Sequence, residues 1–353
     1  MVNFVFQGLP SRVVFGAGSS QAIAQEVNLL GAERALVLCT PGQRGVADRV
    51  ARQLGDRCAG VFDGAAMHVP IESARQARDT ARALGADCAV AIGGGSTIGL
   101  GKAIALESPL PILAIPTTYA GSEMTPIYGI TEGGLKKTGR DARVLPKTVV
   151  YDPDLTVSLP VAVSVTSAMN AIAHAAEGLY AQDCNPVLHL MAIEGLRTWA
   201  SALPSIRQAP QDQAGRSQAL YAAWLCGAVL GNTAMGIHHK LCHTLGGSFG
   251  LPHAETHTVV LPHALAYNRA HAQDAMQHIA QALRGEDAAL AVFDLAQRHG
   301  ATMSLRALGM READLDRACA IAMQSQYPNP RALESGAVRR LLQDAYEGRC
   351  PTA

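Results

Sequence analysis

The chain has 353 residues, of which 48% are hydrophobic and 16% are charged, a composition that excludes a disordered protein and can supply a large buried core. Lysine plus arginine and aspartate plus glutamate number 29 each, so no electrostatic footprint indicates nucleic acid or an anionic membrane surface as a partner. At about 150 residues per domain, the length predicts two domains.

The cysteines and the N-terminus indicate a cytoplasmic protein. None of the eight cysteines forms a CxxC pair, and several, such as Cys39, Cys88 and Cys226, lie in apolar runs, so we interpret them as reduced core thiols. No basic segment followed by a long apolar run opens the chain, so no signal peptide is expected. The longest uncharged span, 217–237, contains polar residues and glycines, which favours a buried helix over a membrane span.

The first half alternates short apolar runs with helical patterns. Strands are predicted over 35–39, 60–62, 88–92 and 111–115, and helices over 46–54, 71–84 and 97–106. Strands that alternate with helices through short loops predict an α/β domain with a doubly wound, Rossmann-like parallel sheet.

The pattern changes after this alternation. Residues 119–157 are rich in glycine and predict a hairpin or an extended excursion, closed by a strand over 148–151. Leu159-Pro160 marks the expected boundary, which gives an α/β domain over 1–158 and a domain over 159–353. Helical patterns fill the second domain, and we expect it to be all-α.

Two loops at strand ends favour a nucleotide site. Gly93-Gly94-Gly95-Ser96 follows one strand and opens a helix, the setting in which backbone N–H groups cradle phosphate. A plain tight turn is the alternative, because the motif is neither GxGxxG nor a Walker loop. Pro116-Thr117-Thr118 ends the next strand and adds hydroxyls at the same edge of the sheet. Thr40 and Gln43 follow the 35–39 strand, where an acid often selects NAD, and they would not repel a 2′-phosphate.

Histidines dominate a second stretch, 239–253. His239 and His243 are four residues apart and share one face of a helix, which Gly246-Gly247 can end before His253. Upstream, Asn170 and His174 share a face in the same way. Three imidazoles and a fourth ligand make a plausible divalent metal site, but the uncharged Asn170 argues against tight binding. The other histidines of the region are expected to be satisfied core residues: His238, His257, His263, His271 and His278.

Two basic residues are candidates for binding an anionic substrate. Lys240 lies within the histidine stretch, about 100° around the helix from His239. Arg140 is the weaker candidate. A solvated surface charge is the alternative for each.

Taken in their order along the chain, these motifs resemble those of the iron-containing (group III) alcohol dehydrogenase family. Glycerol dehydrogenase and dehydroquinate synthase share the fold of this family. The resemblance spans nearly the whole chain. It matches the family's metal ligands, an aspartate and three histidines, to Asn170, His174, His239 and His253, and matches His243 to the histidine beside the nicotinamide. Asn170 departs from the family aspartate, and Gly99 stands where an acid often follows the glycine loop.

The resemblance, with its departures, implies the reduction of the C=C bond of maleylacetate to 3-oxoadipate, a step in microbial breakdown of aromatic compounds. NADH or NADPH is the expected cofactor and no metal is expected. Asn170, His174, His239 and His253 would donate hydrogen bonds to an enolate, and His243 would be the general acid. Homodimers are common in the family. The strand-end loops and the resemblance together assign the dinucleotide to Thr40, Gln43, Gly93, Gly94, Gly95, Ser96, Thr97, Lys102, Thr117, Thr118, Tyr119 and Ser122.

Two alternatives remain open. A metal-dependent alcohol or glycerol dehydrogenase would use the same scaffold. A nucleotide-binding regulatory protein without catalysis is the other, and the intact glycine loop and His243 argue against it.

Overall fold

A computed structural model of the chain describes residues 4–9, 11–133, 135–324 and 327–351, with the side chains of residues 135 and 136 left aside. The chain divides into two compact units, of which one spans Gln7–Leu159 and the other joins the residues before Gln7 to those from Pro160 onward.

The first unit is built on six parallel strands in the order β1-β8-β5-β4-β2-β3. Its strands are β1 (Arg12–Phe15), β2 (Ala35–Leu38), β3 (Cys58–Phe62), β4 (Cys88–Gly93), β5 (Ile112–Pro116) and β8 (Thr148–Tyr151). Its helices are α1 (Ile23–Leu29), α2 (Arg44–Leu54), α3 (Ile71–Ala83) and α4 (Gly95–Ala105). The predicted parallel α/β sheet is confirmed, and the 35–39 run is its second strand in chain order.

Continuous apolar runs form the central strands because both faces of the sheet are covered. Every residue of β2, β4 and β5 is buried. Alternate residues of these strands, such as Val37, Val90 and Ile115, pack with apolar residues of α1 and α2 on one face. The glycine-rich segment forms an antiparallel hairpin of β6 (Ile127–Glu132) and β7 (Leu135–Arg140), as predicted.

The second unit is helical throughout its described residues, which confirms the predicted change of class. Its helices are α5 (Val161–Leu179), α6 (Pro186–Gln208), α7 (Gln213–Asn232), α8 (Ile237–Phe249), α9 (His253–Asn268), α10 (Gln273–Ala282), α11 (Ala288–Arg298), α12 (Leu315–Gln324) and α13 (Ser335–Glu347). Leu241 and Leu245 of α8 pack into an apolar core with residues of α9, α12 and α13. This packing turns the opposite face of α8, with His239 and His243, toward the polar cluster described below.

One boundary prediction in this unit is wrong. Helix α8 continues through Gly246 and Gly247 to Phe249, and Gly250, at φ +68°, caps its C-terminus. A residue in the left-handed region stops a helix, whereas glycine inside a helix only weakens it.

Within the described residues, no single helix combines the length and apolar character needed to span a membrane. Helices α7 and α8 reach the required length and apolar composition only when they are counted together as one broken span, bent by 95°. Most of α7 is buried in the unit, as expected for the uncharged span 217–237.

Candidate active site

Three helices of the second unit bring six imidazoles together. The ring centroid of His239 lies 5.3 Å from that of His174 and 6.0 Å from that of His243. His257 is 4.9 Å from His239 and 4.3 Å from His253. The members of this histidine cluster are His174 on α5, His238, His239 and His243 on α8, and His253 and His257 on α9. The structure thus places the four histidines predicted for the site in one cluster.

The burial of the predicted residues differs. Asn170 and His174 occupy successive turns of α5 and are each only 3% exposed. His253 is exposed at the first position of α9, and its ring centroid lies 4.3 Å from that of His257. Asn170 and His174 are therefore the desolvated members of the predicted set, together with His239.

Glu177 is a central residue of the site that the sequence analysis did not single out. Its carboxylate accepts hydrogen bonds from the backbone N–H groups of Gly236, His238 and His239 at 3.0, 3.0 and 3.2 Å. It also accepts one from the Tyr180 hydroxyl at 2.9 Å and lies 2.6 Å from Nδ1 of His239. A fully buried carboxylate therefore caps the N-terminus of α8 and fixes the His239 ring.

These contacts keep Glu177 ionised and define the tautomer of His239. Burial alone would raise the pKa of Glu177, but the hydrogen bond from His239 and the other donors lower it to about 2. The Nδ1 atom of His239 must carry a proton to bond this carboxylate. A neutral His239 then offers Nε2 only as an acceptor, and an imidazolium offers Nε2–H as a donor. His239 can therefore donate a hydrogen bond to an enolate, as the sequence analysis expects, only as an imidazolium.

His238 and His257 form a second buried pair. Nε2 of His238 lies 2.9 Å from Nδ1 of His257, and both side chains are completely buried. Burial, reinforced by the His239 ring, lowers the pKa of His238 to about 3. Burial and the His253 ring lower the pKa of His257 well below its usual range. The expectation of satisfied core histidines fits His238 but not His257, whose Nε2 has no hydrogen-bond partner among the described residues. His271, also expected in the core, is exposed.

The buried histidines predict a strong acid sensitivity of the fold. An unfolded histidine binds a proton near pH 6.5, whereas folded His238 does so at about 3. The unfolded chain therefore holds more protons between these values, and the free energy of unfolding decreases as pH falls from 6.5 toward 3. Glu177 acts in the same direction from its ordinary value of 4.5 down to about 2. We expect a loss of several kcal/mol in total.

Scanning calorimetry from pH 7 to pH 4 measures this loss as a decrease in Tm. His238→Gln removes one buried titrating ring and should make the decrease shallower. His271→Gln, at an exposed histidine, is the matched control and should follow the wild type. Identical slopes for His238→Gln and the wild type would contradict the assignment.

A tyrosine from the C-terminal part of the chain completes the cluster. The Tyr327 hydroxyl lies 3.0 Å from Nδ1 of His243, and the Lys240 Nζ lies 5.4 Å from the centre of the Tyr327 ring. Burial raises the pKa of Tyr327 and lowers the pKa of Lys240. Tyr327 is therefore part of the site, although the sequence analysis did not single it out. A cation, an imidazole and a phenol stand side by side on this edge of the cluster.

The donor set does not fit a tightly held iron ion. Asn170, His174, His239 and His253 offer no anionic ligand, and the Glu177 carboxylate lies behind His239 rather than beside the expected ion position. A carboxylate behind a ligating histidine is a common supporting arrangement at metal sites, but here nothing in direct contact would balance a divalent charge. The proposed reaction therefore uses no metal ion.

In the α/β unit, the glycine loop forms a cradle. Helix α4 begins at Gly95, directly after β4, so its first-turn N–H groups lie at the carboxyl end of the sheet. Gly93 has φ +155°, and a Cβ there would collide with Thr97 and Gln43. A Cβ on Gly94 would lie 3.0 Å from Thr118. The loop therefore requires glycine, and it leaves an open surface that fits a phosphate group.

Hydrogen bonds tie the neighbouring strand ends to this cradle. Gln43 Nε2 donates to Thr117 Oγ1 at 2.8 Å, and Thr40 Oγ1 lies 3.1 Å from Gln43 Oε1. Thr97 is buried, and its Oγ1 has no partner within the described part of the chain. The loops after β2, β4 and β5 thus form one polar surface, which fits the pyrophosphate and ribose of a dinucleotide.

The other residues assigned to the dinucleotide differ from these in their burial and their hydrogen bonds. Lys102 is fully buried, and its Nζ donates to the carbonyls of Ser122, Thr125 and Ile127 at 2.6, 2.9 and 2.7 Å. Its ammonium is thereby engaged, so any effect of Lys102 on a cofactor passes through the 122–127 segment. Tyr119 is buried, and Arg140 is exposed on β7. Direct cofactor contact by Lys102, Tyr119 and Ser122 stays a prediction, as does substrate contact by Arg140.

Comparisons with known proteins agree along the whole chain. Residues 10–153 match the family model "Iron-containing alcohol dehydrogenase", and residues 164–346 match "Fe-containing alcohol dehydrogenase family, C-terminal". The chain is 61% identical over 352 residues to maleylacetate reductase of Burkholderia cepacia, with 100% of each chain covered. It is similar to the crystal structure of maleylacetate reductase from Agrobacterium tumefaciens, with 54% identity, a TM-score of 0.96 and coverage of 99% and 100%. The structure of the Rhizobium sp. strain MTP-10005 enzyme is similar at 53% identity, a TM-score of 0.95 and the same coverage.

Proposed function

Because this chain belongs to the iron-containing alcohol dehydrogenase family, and within it to the maleylacetate reductases, we propose that it reduces maleylacetate to 3-oxoadipate with NADH or NADPH. The observation that carries the proposed mechanism is the Glu177–His239 pair, with the buried Asn170 two turns before Glu177 on the same helix. In this polar arrangement, hydrogen-bond donors instead of a metal ion stabilise negative charge on a substrate oxygen.

The bond reduced is a C=C conjugated to a ketone. The bound dinucleotide supplies the hydride, which adds to the alkene carbon β to the ketone. The π electrons then move onto the ketone oxygen as an enolate, and a proton on the α carbon restores the ketone. The protein must therefore hold the enolate oxygen and deliver one proton to carbon.

His239 and Asn170 are assigned to the enolate oxygen. As an imidazolium, His239 donates from Nε2 while Glu177 balances its charge at 2.6 Å, so the pair remains neutral overall. The Asn170 amide supplies a neutral donor from α5, and His174 and His253 line the same cluster. A well-placed donor of this kind contributes about 10²–10³-fold in rate.

His243 is assigned as the general acid. An imidazole titrates near neutral pH, and the Tyr327 hydroxyl at 3.0 Å orients its Nδ1 atom. As the imidazolium, His243 donates Nδ1–H to the Tyr327 oxygen and delivers the Nε2 proton to the α carbon, which leaves a neutral imidazole. Tyr327 is then a positioning residue.

Lys240 is proposed to bind one carboxylate of the dianionic substrate, with Arg140 as a weaker candidate. The Lys240 ammonium lies on the His243–Tyr327 edge of the cluster, beside the proposed proton donor. Replacing Lys240 with Met removes the charge but keeps the apolar stem. We expect the KM for maleylacetate to rise much more than the KM for NADH in steady-state kinetics. Arg143→Met, which changes an exposed cation of the other unit, is the control. Equal effects of Lys240→Met on both KM values would contradict the assignment of Lys240 to the substrate carboxylate.

The proposed function also includes the choice of cofactor, the oligomeric state and the cellular location of the protein. No acidic side chain stands at Thr40 or Gln43 to repel a 2′-phosphate, so both NADH and NADPH should serve. We propose a cytoplasmic homodimer that acts in the breakdown of aromatic compounds.

Turnover with 4-deuterated NADH tests the function directly. The expected product is 3-oxoadipate with deuterium on the carbon β to the ketone. Deuterium on a carbinol carbon would show ketone reduction, as a metal-dependent alcohol or glycerol dehydrogenase performs it, and would contradict the proposal.

A further inference from the structure

We propose that His238, Cys242 and His257 form a binding site for one soft divalent metal ion, separate from the Asn170 set that the family resemblance indicates. Zn²⁺ and Co²⁺ are the probes. The site goes beyond the reduction and is not needed for it.

The three ligand atoms already converge. His238 and Cys242 are four residues apart on α8, so they project from one face of the helix, and His257 faces them from α9. One ligand atom from each side chain lies within 4.8 Å of the others. All three residues are buried, at 0%, 1% and 0% exposure. Among the described residues, Cys242 is the one cysteine that lies in such a group of possible ligands.

The spacing fits a tetrahedral ion with small adjustments. For Zn–N near 2.0 Å and Zn–S near 2.3 Å, tetrahedral edges are about 3.3 Å for N···N and about 3.6 Å for N···S. The structure has 2.9 Å between His238 Nε2 and His257 Nδ1, and 3.8 Å between Cys242 Sγ and His238 Nε2. These two edges differ from the ideal values by a few tenths of an ångström, and the third, between Cys242 and His257, is at most 4.8 Å. The ion takes the place of the proton between the two imidazoles, and the ring that donated this proton carries it on its other nitrogen instead.

The chemistry of the set selects the class of ion. One thiolate with two imidazoles suits Zn²⁺ or Co²⁺, whereas Mg²⁺ and Ca²⁺ prefer oxygen ligands. The Cys242 thiol loses its proton on binding, and the thiolate supplies the anionic ligand that the Asn170 set lacks. His239 stands next to the site, with its ring centroid 5.1 Å from that of His238. Because its Nε2 is assigned to the enolate oxygen, water is the expected fourth ligand of the ion.

Cobalt spectroscopy tests the site on the full-length, metal-free protein. A Co²⁺ ion bound by a thiolate shows a sulfur-to-metal charge-transfer band in the near ultraviolet, and an ion bound by nitrogen and oxygen alone does not. We expect this band to saturate at one Co²⁺ per chain. Cys242→Ala should abolish it, and Cys184→Ala, at a half-buried cysteine outside the cluster, should retain it. Circular dichroism and thermal unfolding confirm that each variant is folded.

Zinc X-ray absorption on the wild type provides a measurement that needs no variant. One sulfur neighbour from Cys242, two nitrogen neighbours from the histidines and one oxygen neighbour from water are expected. Three results would each overturn the proposal: cobalt bound without the band, a band that persists in folded Cys242→Ala, and a zinc shell without sulfur. None of them bears on maleylacetate reduction, which is measured without added metal.

Discussion

Replacing His243 with asparagine should lower kcat for maleylacetate by about 10²–10⁴-fold, the usual contribution of a positioned general acid. Asparagine retains polarity at this half-buried position but cannot transfer a proton. The KM for NADH should change little, because the variant leaves the glycine cradle of the other unit intact. Steady-state kinetics, with NADH oxidation as the readout, measures both constants.

The control and the pH profile separate chemistry from structure. His271→Asn alters an exposed histidine and should be neutral. Tyr327→Phe removes the hydroxyl that orients His243 at 3.0 Å, and it should shift the pH profile of kcat as well as lower kcat. A His243→Asn variant that keeps kcat within a few-fold of the wild type would rule out the assignment of the general acid.

Replacing Glu177 with glutamine should be the second large effect, with a decrease in kcat/KM of about 10²–10³-fold. Glutamine has nearly the same shape, but it is neutral and no longer balances an imidazolium at His239. Its amide group also places N–H donors against the backbone N–H groups of Gly236 and His238, which now bond the carboxylate. The variant should therefore also unfold at a lower temperature.

Kinetics and calorimetry together test this prediction. Glu194→Gln, at a half-exposed acid on α6, should leave both activity and Tm unchanged. A folded Glu177→Gln enzyme with lower Tm but normal kcat/KM would limit Glu177 to capping α8. Such a result would remove His239 as a charged donor to the enolate.

The sequence predicted most of the α/β sheet because its inner strands are apolar throughout. The apolar runs of β2, β4 and β5 have no other stable setting than a sheet covered on both faces. Strand β1 was missed because it has only four residues, of which the two at its ends are exposed and the two between them are half-buried. It adds to the sheet through its pairing with β8, a contact between residues more than a hundred positions apart.

The site was predicted where its signals are local. The four-residue spacing of His239 and His243, and of Asn170 and His174, marks shared helix faces. Glu177 and Tyr327 act through partners 62 and 84 residues away, at His239 and His243, and no periodicity encodes such contacts.

One local signal for Glu177 was available. It is the only charged residue of the apolar helix α5, and a buried carboxylate requires donors. The same contact explains why the histidine stretch, read alone, indicates a metal site. A histidine backed by a carboxylate serves equally as a metal ligand or as a charged hydrogen-bond donor.

Turnover of metal-depleted enzyme tests the central claim most directly, namely that the donors of this chain replace a metal. The protein is treated with chelator, its metal content is measured by mass spectrometry, and NADH oxidation with maleylacetate is followed in metal-free buffer. Our account predicts undiminished turnover at a metal content far below one ion per chain, with 3-oxoadipate as the product. Loss of activity on chelation, with recovery on adding Fe²⁺ or Zn²⁺, would contradict it.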